Sequence, residues 1–474
     1  MTKNTLIYLP FKLIEGVAGV VTLNRLTAMF SPDAYGGFVT ANTAVNLAYL
    51  VLVAWLSNAA GRYIQELDGT DKRQEHYSST FAALLAMILP CLLICLVLGL
   101  ILPEYRLLCF LAGGMFASYS LFQLASIHLV RLGRVRAFSI TSLLNALLKP
   151  TLAIALFNLT GNPENIAPAL AAYIAADLSM GLIAVFLLRS PGFLSFGSIS
   201  RDRCLSYAKY GIPLIGTGIG LGLLNMSDRL LVGLFAGQAG LSVYSANYSI
   251  ASVVFTLLMG GIMRGAYPPI IAGYSREGAD GAVPLINRGV ELYVMFALPA
   301  ALGLAALSGR ISSLLFVRAE YAAGNMIPGI VAIAMFFWGL SEYSNKAFEL
   351  EGNTKSILFC SLSAAGLNIL LNLLTLRSFG FYAAAINTLL AFVFYFALSY
   401  TRAKKQFVFR LGLKIWATYI VSAVLCCISA FFVSSLIRSN LAAVLAGMAV
   451  GIAVYAALLI LSGRLRAILG DLVK

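Results

Sequence analysis

Apolar runs of about 20 residues recur from one end of this chain to the other, and that is the length a helix needs to cross roughly 30 Å of hydrocarbon. They fall near 9–29, 38–58, 80–102, 106–128, 138–159, 167–188, 211–236, 241–263, 285–307, 326–345, 355–375, 380–400, 413–436 and 440–462. Between them lie only short polar stretches, too small for a soluble domain. The pattern predicts an all-α polytopic membrane protein with about 14 transmembrane helices. With 60% hydrophobic and 11% charged residues over 474 positions, the chain holds more apolar side chain than a water-soluble globule can hide. The opening Met-Thr-Lys-Asn-Thr-Leu-Ile has no small-residue cleavage site after its first apolar run, so that run is expected to stay as a helix.

The net charge of +14 would suggest nucleic acid in a soluble protein, but here its placement decides. With the N-terminus inside, cytoplasmic loops and tails carry 24 Lys and Arg, among them Arg131, Arg134, Arg136, Arg201, Arg203, Lys404, Lys405 and Arg410. Outward loops carry 5: Arg106, Arg310, Arg318, Arg377 and Arg438. That asymmetry is the positive-inside bias, so both termini are expected in the cytoplasm and no nucleic acid is needed to explain the charge. The seven Cys lie mostly inside apolar runs, where they behave as small hydrophobes rather than as a disulfide or metal framework.

An internal repeat organises the helices. Asn24-Arg25-Leu26, Phe30 and Ala41-Asn42 around the first hairpin are echoed by Asp228-Arg229-Leu230, Phe235 and Ala246-Asn247, at offsets of 204 or 205 residues. Pro10 and Pro213 follow the same spacing, and Glu104-Tyr105 is echoed by Glu320-Tyr321. Six helices separate the copies, an even number, so both halves point the same way and their axis should run along the membrane normal. The expected organisation is an N-lobe (1–189, helices 1 to 6), a basic cytoplasmic connector (190–210) and a C-lobe (211–401, helices 7 to 12). A basic loop, two further helices and a cytoplasmic tail (402–474) complete the chain.

Enzymatic chemistry has no motif to rest on. His occurs only at 76, in a charged cytoplasmic loop beside Lys72, Arg73 and Glu75, and at 128, at a helix end, both read as ordinary polar surface, and neither a nucleophile elbow nor a phosphate-cradling Gly-x4-Gly-Lys loop is present. No enzyme activity, cofactor or metal is expected. Gly216, Gly218, Gly220 and Gly222 look like a nucleotide loop, but with no preceding strand they are better read as small-residue helix packing.

The informative residues are ionisable groups at membrane depth, each costing about 2.5 kcal/mol or more unless it faces a polar cavity or a partner. Arg25 and Arg229 occupy matching repeat positions, and two guanidiniums facing one cavity would suit a diphosphate. A second reading lets both snorkel to the outer boundary. Lys149 and Asp228 join them as candidate substrate-binding residues. Glu291, Asp177 and Glu15 are candidate ion-coupling residues; Glu15 can instead pair with Lys12 three residues away, and Glu291 or Asp177 could be matched to Lys149 across the bundle. Glu342, Lys346 and Glu349 read as a solvated helix end.

The stretches Asn225–Gly237, Leu241–Ile250 and Leu23–Phe38 resemble the corresponding helices of bacterial oligosaccharide and polysaccharide flippases, the Wzx-like polysaccharide transporter branch of the multidrug/oligosaccharidyl-lipid/polysaccharide (MOP) superfamily. The resemblance implies a multi-pass protein of the bacterial inner membrane that flips a polyprenyl-diphosphate-linked oligosaccharide to the periplasmic leaflet by alternating access. It further implies a cationic central cavity, with Arg25 and Arg229 at its duplicated pattern. Implied partners are the lipid-linked oligosaccharide, membrane lipids and a glycan polymerase or assembly proteins. A cation-coupled multidrug exporter of the same superfamily is the alternative; a glycan polymerase or glycosyltransferase would need a larger outer loop than Gly309–Met326.

Overall fold

The computed structural model of the protein describes residues 3–64, 70–188 and 195–464; the start of the expected connector (190–194) and the tail beyond 464 lie outside the described residues. Its elements are helical throughout. They are α1 (Lys3–Met29), α2 (Pro32–Leu52), α3 (Ala54–Tyr63), α4 (Thr70–Ile101), α5 (Arg106–Arg131), α6 (Val135–Thr160) and α7 (Ala167–Leu188). The chain continues as α8 (Arg201–Glu277), α9 (Ala279–Leu315), α10 (Ile327–Leu350), α11 (Thr354–Ala403), α12 (Leu413–Ser435) and α13 (Asn440–Leu461).

Ten of the helices are long and apolar enough to cross a membrane, or eleven when the bent pair α2 and α3 is taken as one span. Two of the ten are broken inside by a glycine with positive φ, Gly237 in α8 and Gly380 in α11, and each break separates two membrane-length arms. Both breaks fall where the hydropathy pattern placed a turn. Counting the arms separately, together with the 27-residue α1, gives the number of segments expected from sequence. Lys12, Glu15 and Arg25 place three charges within α1.

Local signals set the helix boundaries. Ser31 caps α2, its hydroxyl accepting from the Ala34 N–H at 3.3 Å, with Pro32 in the first turn and Asp33 beside it. Gly161, left-handed at φ 60°, ends α6, its N–H donating to the Phe157 carbonyl oxygen at 2.7 Å. Asn353 and Ser439 cap α11 and α13 in the same way as Ser31.

Burial is inverted relative to a soluble protein. Large side chains such as Leu93, Phe186, Phe432 and Leu461 point outward, while the interior is rich in Ala, Ser and Tyr. Lipid tails are as apolar as leucine, so helices gain by close backbone approach and by hydrogen bonds rather than by burying leucine. The contact of α12 and α13 shows this: a Cβ at Gly447 would stand 2.9 Å from the Ala430 carbonyl oxygen. The glycines of α8 act likewise, since a Cβ at Gly211 would lie 2.7 Å from the Trp55 oxygen and Gly218 and Gly222 receive Leu50.

The chain divides into two compact units, Met1–Gly233 and Leu234–Lys474. In the first, α7 packs on α5 and α6, α1 on α6, and α4 on α5; in the second, α10 packs on α9 and α11, and α12 on α9 and α13. The first unit includes positions 211–233, which the repeat assigned to the second lobe.

A candidate functional site in the first unit

The most fully built polar cluster sits between α6 and α7. On α6, Asn145 and Lys149 are four residues apart, hence on one face; on α7, so are Tyr173 and Asp177. Asp177 is buried, and its Oδ1 accepts from the Lys149 ammonium at 2.9 Å and from Asn145 Nδ2 at 2.8 Å. The ammonium also lies over the Tyr173 ring, 4.7 Å from its centre, and Tyr173 packs edge-on against Phe38 of α2. Asp177 Oδ2 is buried with no hydrogen-bond partner among the described residues.

Tyr119 of α5 lies within electrostatic reach of Asp177, receives a hydrogen bond from Gln123 at 2.6 Å, and meets the Tyr49 ring edge-on. Tyr49 in turn donates to the Ser57 hydroxyl at 3.1 Å. A polar and aromatic track therefore runs through the first unit from α3 to α7. Lys149 is 18% exposed and keeps donors to spare after binding Asp177, and Asp177 keeps one accepting oxygen. Such a pair neutralises itself at rest while presenting both an acceptor and a donor to a ligand.

The other predicted residues have separate surroundings. Arg25 is exposed, with no ion pair or hydrogen bond from another described residue. Arg229 is half-buried, and its backbone N–H donates at 2.7 Å to Asp228, whose carboxylate is buried. Both arginines belong to the first unit. Glu15 pairs with Lys12, as their spacing allows. Glu291 accepts from the Tyr419 hydroxyl at 3.0 Å and lies 3.6 Å from Arg464, so its counter-charge comes from beyond the last helix rather than from Lys149.

Two expectations need correction. Lys346 is buried rather than solvated, bonded to Glu349 at 2.7 Å and stacked over Tyr267, whose hydroxyl also donates to Glu349. His76 and His128 are not surface residues: both are fully buried and their Nε2 atoms stand 3.2 Å apart. Sequence reasoning missed this pair, and it missed Asn145 and Tyr173. The latter two carried a signal, because each lies one helical turn from a charged residue at membrane depth. The histidines carried none, since 52 residues separate them. Among the described residues no three His, Cys, Asp or Glu gather as metal ligands.

Helices of this number and apolarity define a multi-pass membrane protein. The sequence profile described as polysaccharide biosynthesis protein matches residues 1–272, and the chain belongs to that family. It is similar to the probable low-salt glycan biosynthesis flippase Agl15 of Haloferax volcanii, 21% identical over 224 residues. That match spans 47% of this chain and 45% of the relative. Among solved structures, the lipid II flippase MurJ in an inward closed conformation superposes with a TM-score of 0.80 at 14% identity, covering 99% of this chain and all of that one. An inward-facing multidrug resistance MATE family transporter of the MOP superfamily gives 0.67 at 10% identity, over 87% and 98% of the two chains. At these identities the two structures establish a shared fold.

Proposed function

We propose that this protein flips a polyprenyl-diphosphate-linked oligosaccharide from the cytoplasmic to the periplasmic leaflet of a bacterial inner membrane, with both termini cytoplasmic. The product would feed a cell-surface polysaccharide such as an O-antigen, a lipopolysaccharide or an exopolysaccharide, in company with a glycan polymerase or assembly proteins. Membership of the polysaccharide biosynthesis family carries the reading. The likeness to Agl15 and the fold held in common with MurJ support it.

The physical need is plain. A diphosphate and a chain of hydroxyls cannot enter hydrocarbon without losing their water, so the protein must supply replacement partners. In this reading Arg25 and Arg229 contact the diphosphate and Lys149 and Asp228 assist. Asp177, Glu291 and Glu15 are the groups proposed to take up a coupling ion during alternating access of the N-lobe (1–189) and C-lobe (211–401). Asp177 and Glu15 each keep one buried oxygen without a hydrogen bond among the described residues, which supports those two over Glu291. A cation-coupled drug exporter is the competing reading, resting on the MATE-like fold, whose superposition is less close.

Complementation of a glycan-export mutant tests the proposal, with Arg25→Ala and Arg229→Ala compared at matched protein levels. Wild-type complementation with loss in both variants is expected. Drug efflux without glycan export would overturn the substrate, and full export by both variants would overturn the arginine site.

A further inference from the structure

A second polar network lies away from the Lys149–Asp177 pair, where α4 and α5 meet the start of α8. Tyr207 Oη is 2.6 Å from His76 Nδ1, His76 Nε2 is 3.2 Å from His128 Nε2, and His128 Nδ1 is 2.7 Å from the Leu124 carbonyl oxygen. All three side chains are buried.

Elimination fixes every proton. A carbonyl only accepts, so His128 carries its hydrogen on Nδ1, and a neutral ring then leaves Nε2 as an acceptor. His76 must therefore donate from Nε2, which leaves its Nδ1 to accept from the Tyr207 hydroxyl. The neutral chain satisfies every nitrogen with no freedom left over.

An added proton has only two places to go, and both are nitrogens that now accept. On His128 it would aim an N–H at the N–H of His76; on His76 it would force the Tyr207 bond to reverse. On His76 the positive charge would also stand beside Arg203, which is already paired with Glu75 at 2.8 Å. The ionisable groups around the pair are Glu75 and Tyr77 on α4, Arg203, Cys204 and Tyr207 on α8, and Tyr63 of α3 against Tyr207; Arg73 and Arg134 reach Tyr77.

The network also sits at a joint. The Ser195 and Ser200 N–H groups donate to the Ser78 and Ser79 hydroxyls at 3.0 and 2.9 Å, and Cys204 Sγ lies 3.7 Å from the Ser79 carbonyl oxygen. The polar run Glu75 to Thr80 thus fastens the whole described part of the connector. We propose that His76 and His128 form a one-proton site whose occupation loosens segment 195–207 from α4 and α5. The inference does not depend on the cargo: it makes the pair a proton-operated catch on the segment that leads into α8.

The chain has only two histidines, so the full-length protein labelled with 15N-histidine reports on this pair alone. At neutral pH one ring should show the Nδ1–H tautomer and the other Nε2–H. On acidification both should report one shared single-proton transition. Maleimide labelling of Cys204, read by peptide mass mapping and divided at each pH by the rate for free cysteine at that pH to remove the loss of thiolate, should rise roughly five- to tenfold over the same range, the scale of losing one hydrogen bond. Tyr207→Phe keeps the ring packing and should leave Cys204 reactive at every pH, while His128→Gln should abolish the transition. Identical tautomers, two independent titrations, or Cys204 labelling that ignores the histidine transition would each overturn the proposal, and the tautomer measurement stands even if His128→Gln does not fold.

Discussion

The hairpin of α6 and α7 in the first unit and the broken helix α11 in the second follow one backbone plan with different chemistry. Gly133 precedes the first and Gly352 the second; Gly161 ends the first arm of one and Gly380 the first arm of the other. Both pairs, 133 with 352 and 161 with 380, are 219 residues apart, and all four glycines have positive φ. The same spacing carries Lys149 to Asn368. Where the first unit buries an ion pair, the second builds an amide ladder: Asn372 donates to Asn368 at 3.0 Å, and Asn387 donates to Asn372 and Thr375 at 3.0 and 2.9 Å. The two regions share the placement of their turns and differ in their polar interiors. A neutral ladder fixes packing and register, whereas a charged pair can also answer to an ion or an anionic ligand.

Three substitutions test that contrast. The largest effect is expected from Lys149→Met, which leaves Asp177 buried without its counter-charge and should cost about 3–5 kcal/mol in thermal unfolding in detergent. Adding Asp177→Asn should restore most of the loss; if Lys149→Met is neutral, the pair does not hold the hairpin. Next, Asn387→Leu strips a donor from Asn372 and Thr375 and should cost about 1–3 kcal/mol while glycan export persists. Loss of export at normal protein levels would break the division of labour between the two hairpins.

A smaller difference separates the repeat partners Asn42 and Asn247. Asn247 donates to the Tyr321 carbonyl at 3.0 Å and accepts from Ser312 at 2.9 Å, pinning the turn around Tyr321 to its helix, and Asn247→Ala should cost about 1–2 kcal/mol. Asn42 accepts only from Asn46, one turn away, among the bonds described for its side chain, so Asn42→Ala should stay within about 0.5 kcal/mol. Equal losses would show that the repeat preserved a role and not merely a residue. The smallest change in stability, within about 0.5 kcal/mol, is expected for exposed Arg25→Ala, whose effect should fall on export instead.

Much of the site was open to sequence reading because charge is so rare in the spans. Lys149 and Asp177 stood out for that reason, and the pairing of Lys12 with Glu15 followed from helical spacing alone. Glu291 was equally conspicuous, yet its partner Arg464 lies 173 positions away beyond the last helix, and no periodicity links the two. The histidines were misplaced because charged neighbours suggested a solvated loop for His76 and a helix end suggested surface for His128, while the fold buries His76 against Tyr207 and His128 against Tyr77.

The chain's own order of residues settled that it is a bundle of membrane helices, where most of them turn, and that Lys149 and Asp177 lie within spans. Those are properties of local apolar length, of caps and of glycines that tolerate a left-handed turn, and each is encoded within a few tens of residues. Which charge meets which, and which polar group is left with spare hydrogen-bonding capacity, was decided by tertiary packing. Lipid exerts no pull that sorts one apolar helix face from another, so the pairing of faces follows from small-residue fit and hydrogen bonds between segments far apart in the chain.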